Sequence, residues 1–181
     1  MIKKGFTLIE MLVVVLIVGI LAAIALPLYN NSIWRAKGAQ MLTHVKSLAT
    51  AQEAYYNMHG TYGKSFDDFD LTFDILDTRP ASSSVGPVVS STNAIRANDD
   101  YELIINASGS FVLSTAFLKR GPYRGAGFAQ LHYNDIGVNN KLIYCLEGTI
   151  YNIEEGAFCH KVMGYGQTPV KTGYNSRFFV M

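Results

Sequence analysis

Residues 1–27 read MIKKGFTLIEMLVVVLIVGILAAIALP, and the reading of the whole chain turns on whether this stretch is kept or discarded. Met11 to Leu28 carries no charge and consists mostly of Val, Ile, Leu and Ala. A run of that length can span a bilayer; from Phe6 to Leu28 a helix extends about 34 Å at 1.5 Å per residue. Its β-branched residues would suit a strand, but a lone strand in lipid leaves backbone N–H and C=O groups unpaired, so a helix is expected. Lys3 and Lys4 precede the run, which favours a cytoplasmic N-terminus and sends the remainder across the membrane. Glu10 is the anomaly. A carboxylate at the centre of a spanning helix costs roughly 2.5–3.5 kcal/mol on insertion scales, so an acid at the edge of such a helix calls for a partner.

Two fates for the segment compete. In one it is a cleaved signal peptide, with Ala23, Ile24 and Ala25 as the small-x-small cleavage site, and the product is a free secreted binding domain. Against this stand the length of the apolar run, the interruption by Glu10, and Pro27 at the second position after the cut. In the other the helix is retained. KKGFTLIEMLVVVLIVGILAAIALP, Lys3 to Pro27, resembles the N-terminus of the type IV pilin family, which includes the pseudopilins of type II secretion and the competence pilins. The resemblance implies a leader of residues 1–5 removed after Gly5 by a prepilin peptidase, followed by methylation of the new amine on Phe6. It also implies that Glu10 meets the N-terminal amine of an adjacent subunit during fibre growth. Chemistry adds one point: Phe6 and Glu10 stand four residues apart, on one helical face, and methylation keeps the ammonium charge. Pro27 removes a helical hydrogen bond, so a kink or locally melted stretch between Gly19 and Pro27 is expected, as in filaments of the family.

The implied organisation is a leader at 1–5, a transmembrane and filament-core helix at 6–28, an amphipathic helix at 29–60, and a globular head at 61–181. Trp34, Gly38, Met41, Val45, Leu48, Gln52 and Tyr55 recur at heptad-like spacing, and Gly60 is a stop signal. Residues 64–98 then read as loop, with Asp67, Asp68, Asp70, Asp74 and Asp77 ahead of a Pro, Gly and Ser-rich stretch. A solvated acidic face is the simplest meaning; a calcium site, or a contact with Lys119, Arg120 and Arg124 of a neighbouring subunit, is the sharper one. YELIINASGSFVLSTAFL reads as two strands turning at Ser108 and Gly109, with Leu103, Ile105, Phe111 and Leu113 on one covered face. GFAQLHYND and NKLIYCLEG form another pair, and the terminal YNSRFFVM tucks Phe178 and Phe179 against the sheet. The expected fold class is therefore α+β, a long N-terminal helix on an antiparallel sheet of about four strands.

Cys145 and Cys159 follow an export-type segment, so a disulfide is expected over a pair of buried free thiols; its closed ring would contribute roughly 3 kcal/mol. The region also resembles the disulfide-bounded C-terminal part of many type IV pilins. The chain has 15 Lys and Arg against 14 Asp and Glu, which gives no electrostatic reason to propose nucleic acid as a partner. No serine elbow, HExxH, P-loop or dinucleotide fingerprint occurs, the four histidines are scattered, and nothing calls for a metal or cofactor. Asn106-Ala-Ser fits an Asn-glycosylation pattern that chance often produces. The expectation is a non-enzymatic subunit of a type IV pilus, with a pseudopilin as the alternative. Its partners would be copies of itself, minor pilins, prepilin peptidase, the inner-membrane assembly platform and, before assembly, lipid.

Overall fold

The computed structural model describes residues 5–73, 76, 94–107, 111–133 and 137–181. The leader residues 1–4, most of the Pro, Gly and Ser-rich stretch with Asp74 and Asp77, and the turn at Ser108 and Gly109 lie outside these. The chain divides into two compact units, residues 1–36 and 37–181. Helix α1, Leu8–His59, supplies all of the described regular structure of the first unit and the leading element of the second. It contains one stretch long and apolar enough to cross a membrane, none of which is buried.

In the second unit α1 buries Gly38, Met41, Val45, Leu48, Ala49 and Gln52, the three- and four-residue spacing of a single helical face. His59 is its last residue, and Gly60 follows at φ +73° with its N–H on the Tyr56 carbonyl, a left-handed stop that glycine adopts without steric cost. Gln52, fully buried, then acts as a surrogate backbone: its amide donates to the Gly63 carbonyl at 2.9 Å and accepts from the Gly63 N–H at 3.0 Å. Replacing it by leucine leaves both groups of Gly63 without a partner, and thermal denaturation should register a loss of about 1–3 kcal/mol.

Among the described residues the sheet has seven antiparallel strands rather than about four: β1 (Ala94–Ala97), β2 (Tyr101–Ala107), β3 (Val112–Leu118), β4 (Ala126–Tyr133), β5 (Ile143–Gly148), β6 (Lys171–Gly173) and β7 (Ser176–Val180). Their spatial order is β1-β2-β3-β4-β5-β7-β6. The chain tail does more than tuck its phenylalanines inward: β7 pairs along β5, with Cys145 opposite Phe179 and Leu146 opposite Phe178.

Both faces of the sheet are covered, which changes the assignment of the core residues. The β2–β3 register sets Leu103 opposite Ala116 and Ile105 opposite Ser114, on the face that meets α1, where Tyr101 holds His44 and His132 holds Glu53. Leu113 points to the other face, in a cluster with Phe111, Ile104, Phe117, Leu131 and Phe178. Strands buried on both sides read as near-continuous apolar runs, and β2, β3 and β4 are buried along almost their full length. Asn106, the first residue of the glycosylation pattern, is completely buried within β2 and so offers no surface for a glycan.

Candidate functional site

The first unit presents its chemistry at the start of α1. Gly5, Phe6 and Thr7 are non-helical and exposed, and the first helical residue is Leu8. Thr7 is the N-cap. Its N–H and its hydroxyl both donate to Glu10 Oε2, at 2.8 and 2.7 Å, while the Glu10 N–H donates to Thr7 Oγ1 at 3.3 Å. This is a reciprocal capping box, which satisfies two of the donors that a helix start leaves unpaired. The pattern was readable in the sequence, since Thr-x-x-Glu ahead of an apolar run is its signature. The carboxylate expected to meet an amine is thus already held by two hydrogen bonds in the single chain, at a place where the Phe6 ring is 80 % exposed. Gly19 has open space where a Cβ would be, and Pro27 lies inside the helical span.

The second unit is organised near its C-terminus around the Cys145–Cys159 disulfide, which joins β5 to the loop of residues 154–164 with a Cα–Cα separation of 5.7 Å. Two residues further along β5 stands Glu147, completely buried. Its Oε1 accepts the backbone N–H groups of Phe158 and Cys159, both at 2.9 Å, and its Oε2 accepts that of Gly156 at 2.8 Å. Arg177 of β7 supplies the countercharge, with Nη1 3.4 Å from Oε2 and a further 3.1 Å bond to the Ile153 carbonyl. A buried carboxylate with three backbone donors and a guanidinium is a folding centre for the loop. The ring of Phe158, fully buried, lies below Gly38 of α1, where a Cβ would stand 3.2 Å from its Cζ and 2.6 Å from Met163 Sδ.

Two of the acidic residues, Asp67 and Asp68, have contacts within the chain. Asp67 pairs with Arg96 at 3.2 Å, and Asp68 accepts from the N–H groups of Lys64 and Ser65. The basic residues proposed as their partners on a neighbour have contacts within the chain: Arg120 pairs with Asp99 and Asp100, Lys119 donates to the Asn98 carbonyl, and Arg124 lies over the Tyr151 ring. Among the described residues no group of three or more His, Cys, Asp or Glu side chains converges to hold a metal ion.

Residues 1–26 match the family model described as the prokaryotic N-terminal methylation motif. The type IV major fimbrial protein FimA of Dichelobacter nodosus is 29 % identical over 154 residues, covering 77 % of this chain and 97 % of that protein. The type IV major pilin protein PilE of Neisseria gonorrhoeae is 44 % identical over 62 residues, and PilA of Myxococcus xanthus 44 % over 60. These two matches span only 37 % and 27 % of the relatives' own lengths. No solved structure matches the chain.

Proposed function

We propose that this chain, which belongs to the type IV pilin family, is a structural, non-enzymatic subunit of a type IV pilus. It waits as a single-pass inner-membrane precursor, N-terminus in the cytoplasm, and ends in an extracellular filament. Prepilin peptidase removes residues 1–5 after Gly5, Phe6 is N-methylated, and the assembly platform packs the helices of residues 6–28 into a filament core. The amphipathic span 29–60 and the head from residue 61 then face outward, among copies of itself and minor pilins. Gly19 and Pro27 mark where the core helix loosens.

The observation that carries this reading is the arrangement at Glu10: an acid at the start of an unburied apolar helix, one turn from the amine that processing would create. In the filament the ammonium of Phe6 from an adjacent subunit replaces or joins Thr7 at the carboxylate, and the pairing relieves its desolvation.

Mass spectrometry of the mature N-terminus should find methylated phenylalanine, whereas a start at Leu26 would refute retention of the helix. Glu10→Gln provides the sharper test, because glutamine also serves at N3 of a capping box and so removes the charge while keeping the cap. Losing one desolvated ion pair costs about 3–5 kcal/mol per contact, enough to lower filament yield more than about a hundredfold. Precursor should still accumulate in the membrane. Equal filament numbers in Glu10→Gln cells would remove the amine pairing from the account. Deletion of the gene separates a pilus from a secretion pseudopilus: loss of surface fibres marks the first, blocked exoprotein release with fibres intact marks the second.

A further inference from the structure

Inside the head, Glu53 of α1, Tyr62 of the following loop, Ser114 of β3, His132 of β4 and Lys141 ahead of β5 converge. The His132 imidazole is completely buried, with Nδ1 2.7 Å from Glu53 Oε1 and Nε2 3.1 Å from Ser114 Oγ. Lys141 Nζ lies 3.1 Å from Glu53 Oε2. The Tyr62 hydroxyl donates to Glu53 Oε1 at 3.5 Å, its ring rests against the imidazole at 5.1 Å between centroids, and Tyr56 stacks on it at 4.5 Å. The order Ser, His, Glu is that of an acyl-transfer triad, but Ser114 has no exposed surface, so no substrate reaches its hydroxyl. What the cluster does have is a single anion on which three chain segments depend.

We propose that this cluster is an acid-sensitive latch: acidification frees the end of α1 and the Tyr62 loop from the β3–β4 hairpin while the rest of the sheet stays folded. At neutral pH the Glu53 carboxylate accepts from His132 Nδ1–H and from the Lys141 ammonium, and the neutral imidazole accepts the Ser114 hydroxyl at Nε2. Burial pushes the His132 imidazole below its ordinary range; the hydrogen bond and charge of Glu53 pull it back only in part, and Lys141 adds to the lowering. Partial burial pushes Glu53 up, but the hydrogen bonds and charges of His132 and Lys141 outweigh it and hold the carboxyl below its ordinary range.

Both groups therefore bind protons more readily when the latch is open. The stability of the closed form is complete above the ordinary imidazole value of about 6.5, declines as the pH falls below it, and declines further below the ordinary carboxylate value of about 4.3. Once Glu53 is protonated, a buried imidazolium would face Lys141 with no anion between them.

Hydrogen exchange on the full chain in detergent micelles tests the proposal. Between about pH 7.5 and 4.5 the protection of amides 60–64, corrected for intrinsic rates, should fall about tenfold or more while that of β2 and β3 holds. Glu53→Gln, which removes the anion, should lower protection of amides 60–64 at neutral pH and, because His132 then loses the charge that draws it back toward its ordinary range, steepen the further loss on acidification. Lys141→Met changes an exposed side chain and leaves the core untouched; it should move the His132 midpoint, followed by residue-resolved NMR, upward. The same spectra separate His132 from His44, which bonds Tyr101 at 2.8 Å and is also lowered by burial. Flat protection of amides 60–64, a uniform loss across β2 to β4, unchanged pH dependence in Glu53→Gln, or a His132 midpoint indifferent to Lys141 would each overturn the latch.

Discussion

Replacing Glu147 by leucine is expected to destabilise the head by about 3–5 kcal/mol, because the Arg177 guanidinium and three backbone N–H groups then lose their common acceptor. For a chain of this size that is a fall in melting temperature of roughly 10 °C or more. Glu147→Gln should fall between the wild type and leucine. Its carbonyl can serve Phe158 and Cys159, but its NH₂ would face the Gly156 donor and Arg177. Calorimetry on the three proteins gives the ranking directly. A glutamine variant as damaged as leucine would mean that the charge, rather than the hydrogen-bond geometry, holds the loop. The disulfide does not substitute for the carboxylate, since it fixes one point of the loop whereas Glu147 orients the backbone of Gly156, Phe158 and Cys159.

Phe158→Ala should cost a comparable amount, about 3–5 kcal/mol, through the lost burial of a fully enclosed ring and the cavity it leaves. The ring meets Tyr123 and Phe128 at 5.6 and 6.1 Å between centroids and closes the approach of α1 at Gly38. Gly38→Leu in the Phe158→Ala background separates two components of the cost. If the leucine enters the vacated space, part of the lost stability returns, although in the wild type it would collide with Met163 and Phe158. Denaturant unfolding of the two single variants and the double variant closes the cycle, and strict additivity would show that helix and loop do not share this space.

Much of this architecture could be read from the residues, and the exceptions share a physical cause. The helix face was visible because Gly38, Met41, Val45, Leu48 and Gln52 keep a helical period, and Gly60 stops it where a left-handed residue is needed. Strands β2 to β5 were visible as apolar runs between turn signals. Strand β1 and the β6–β7 hairpin were not. Ala-Ile-Arg-Ala and Lys-Thr-Gly are too short to carry a period, and β7 becomes a strand only because β5 has a free side for it. The second covered face escaped for a similar reason: in near-continuous apolar runs, alternation no longer tells one face from the other.

The site residues divide in the same way. Thr7 and Glu10 are three residues apart, so their capping box is local and legible. Glu147 bonds groups 9 to 12 residues away in sequence, and His132 bonds a carboxylate 79 residues away. No local pattern marks such partners, because the fold alone brings them together.

The outermost strands of the sheet, β1 and β6, are four and three residues long, and β6 covers only the first part of β7. Over the rest of β7, the N–H groups of Gly166 and Val170 already reach the carbonyls of Val180 and Phe178. Among the described residues, another polypeptide would find almost no uninterrupted row of hydrogen-bonding groups on which to continue the sheet. Concentrated in a fibre, these heads can crowd together without fusing into a shared β-structure. Cohesion between the heads would then rest on side-chain surfaces, which can part and meet again without any strand being unzipped.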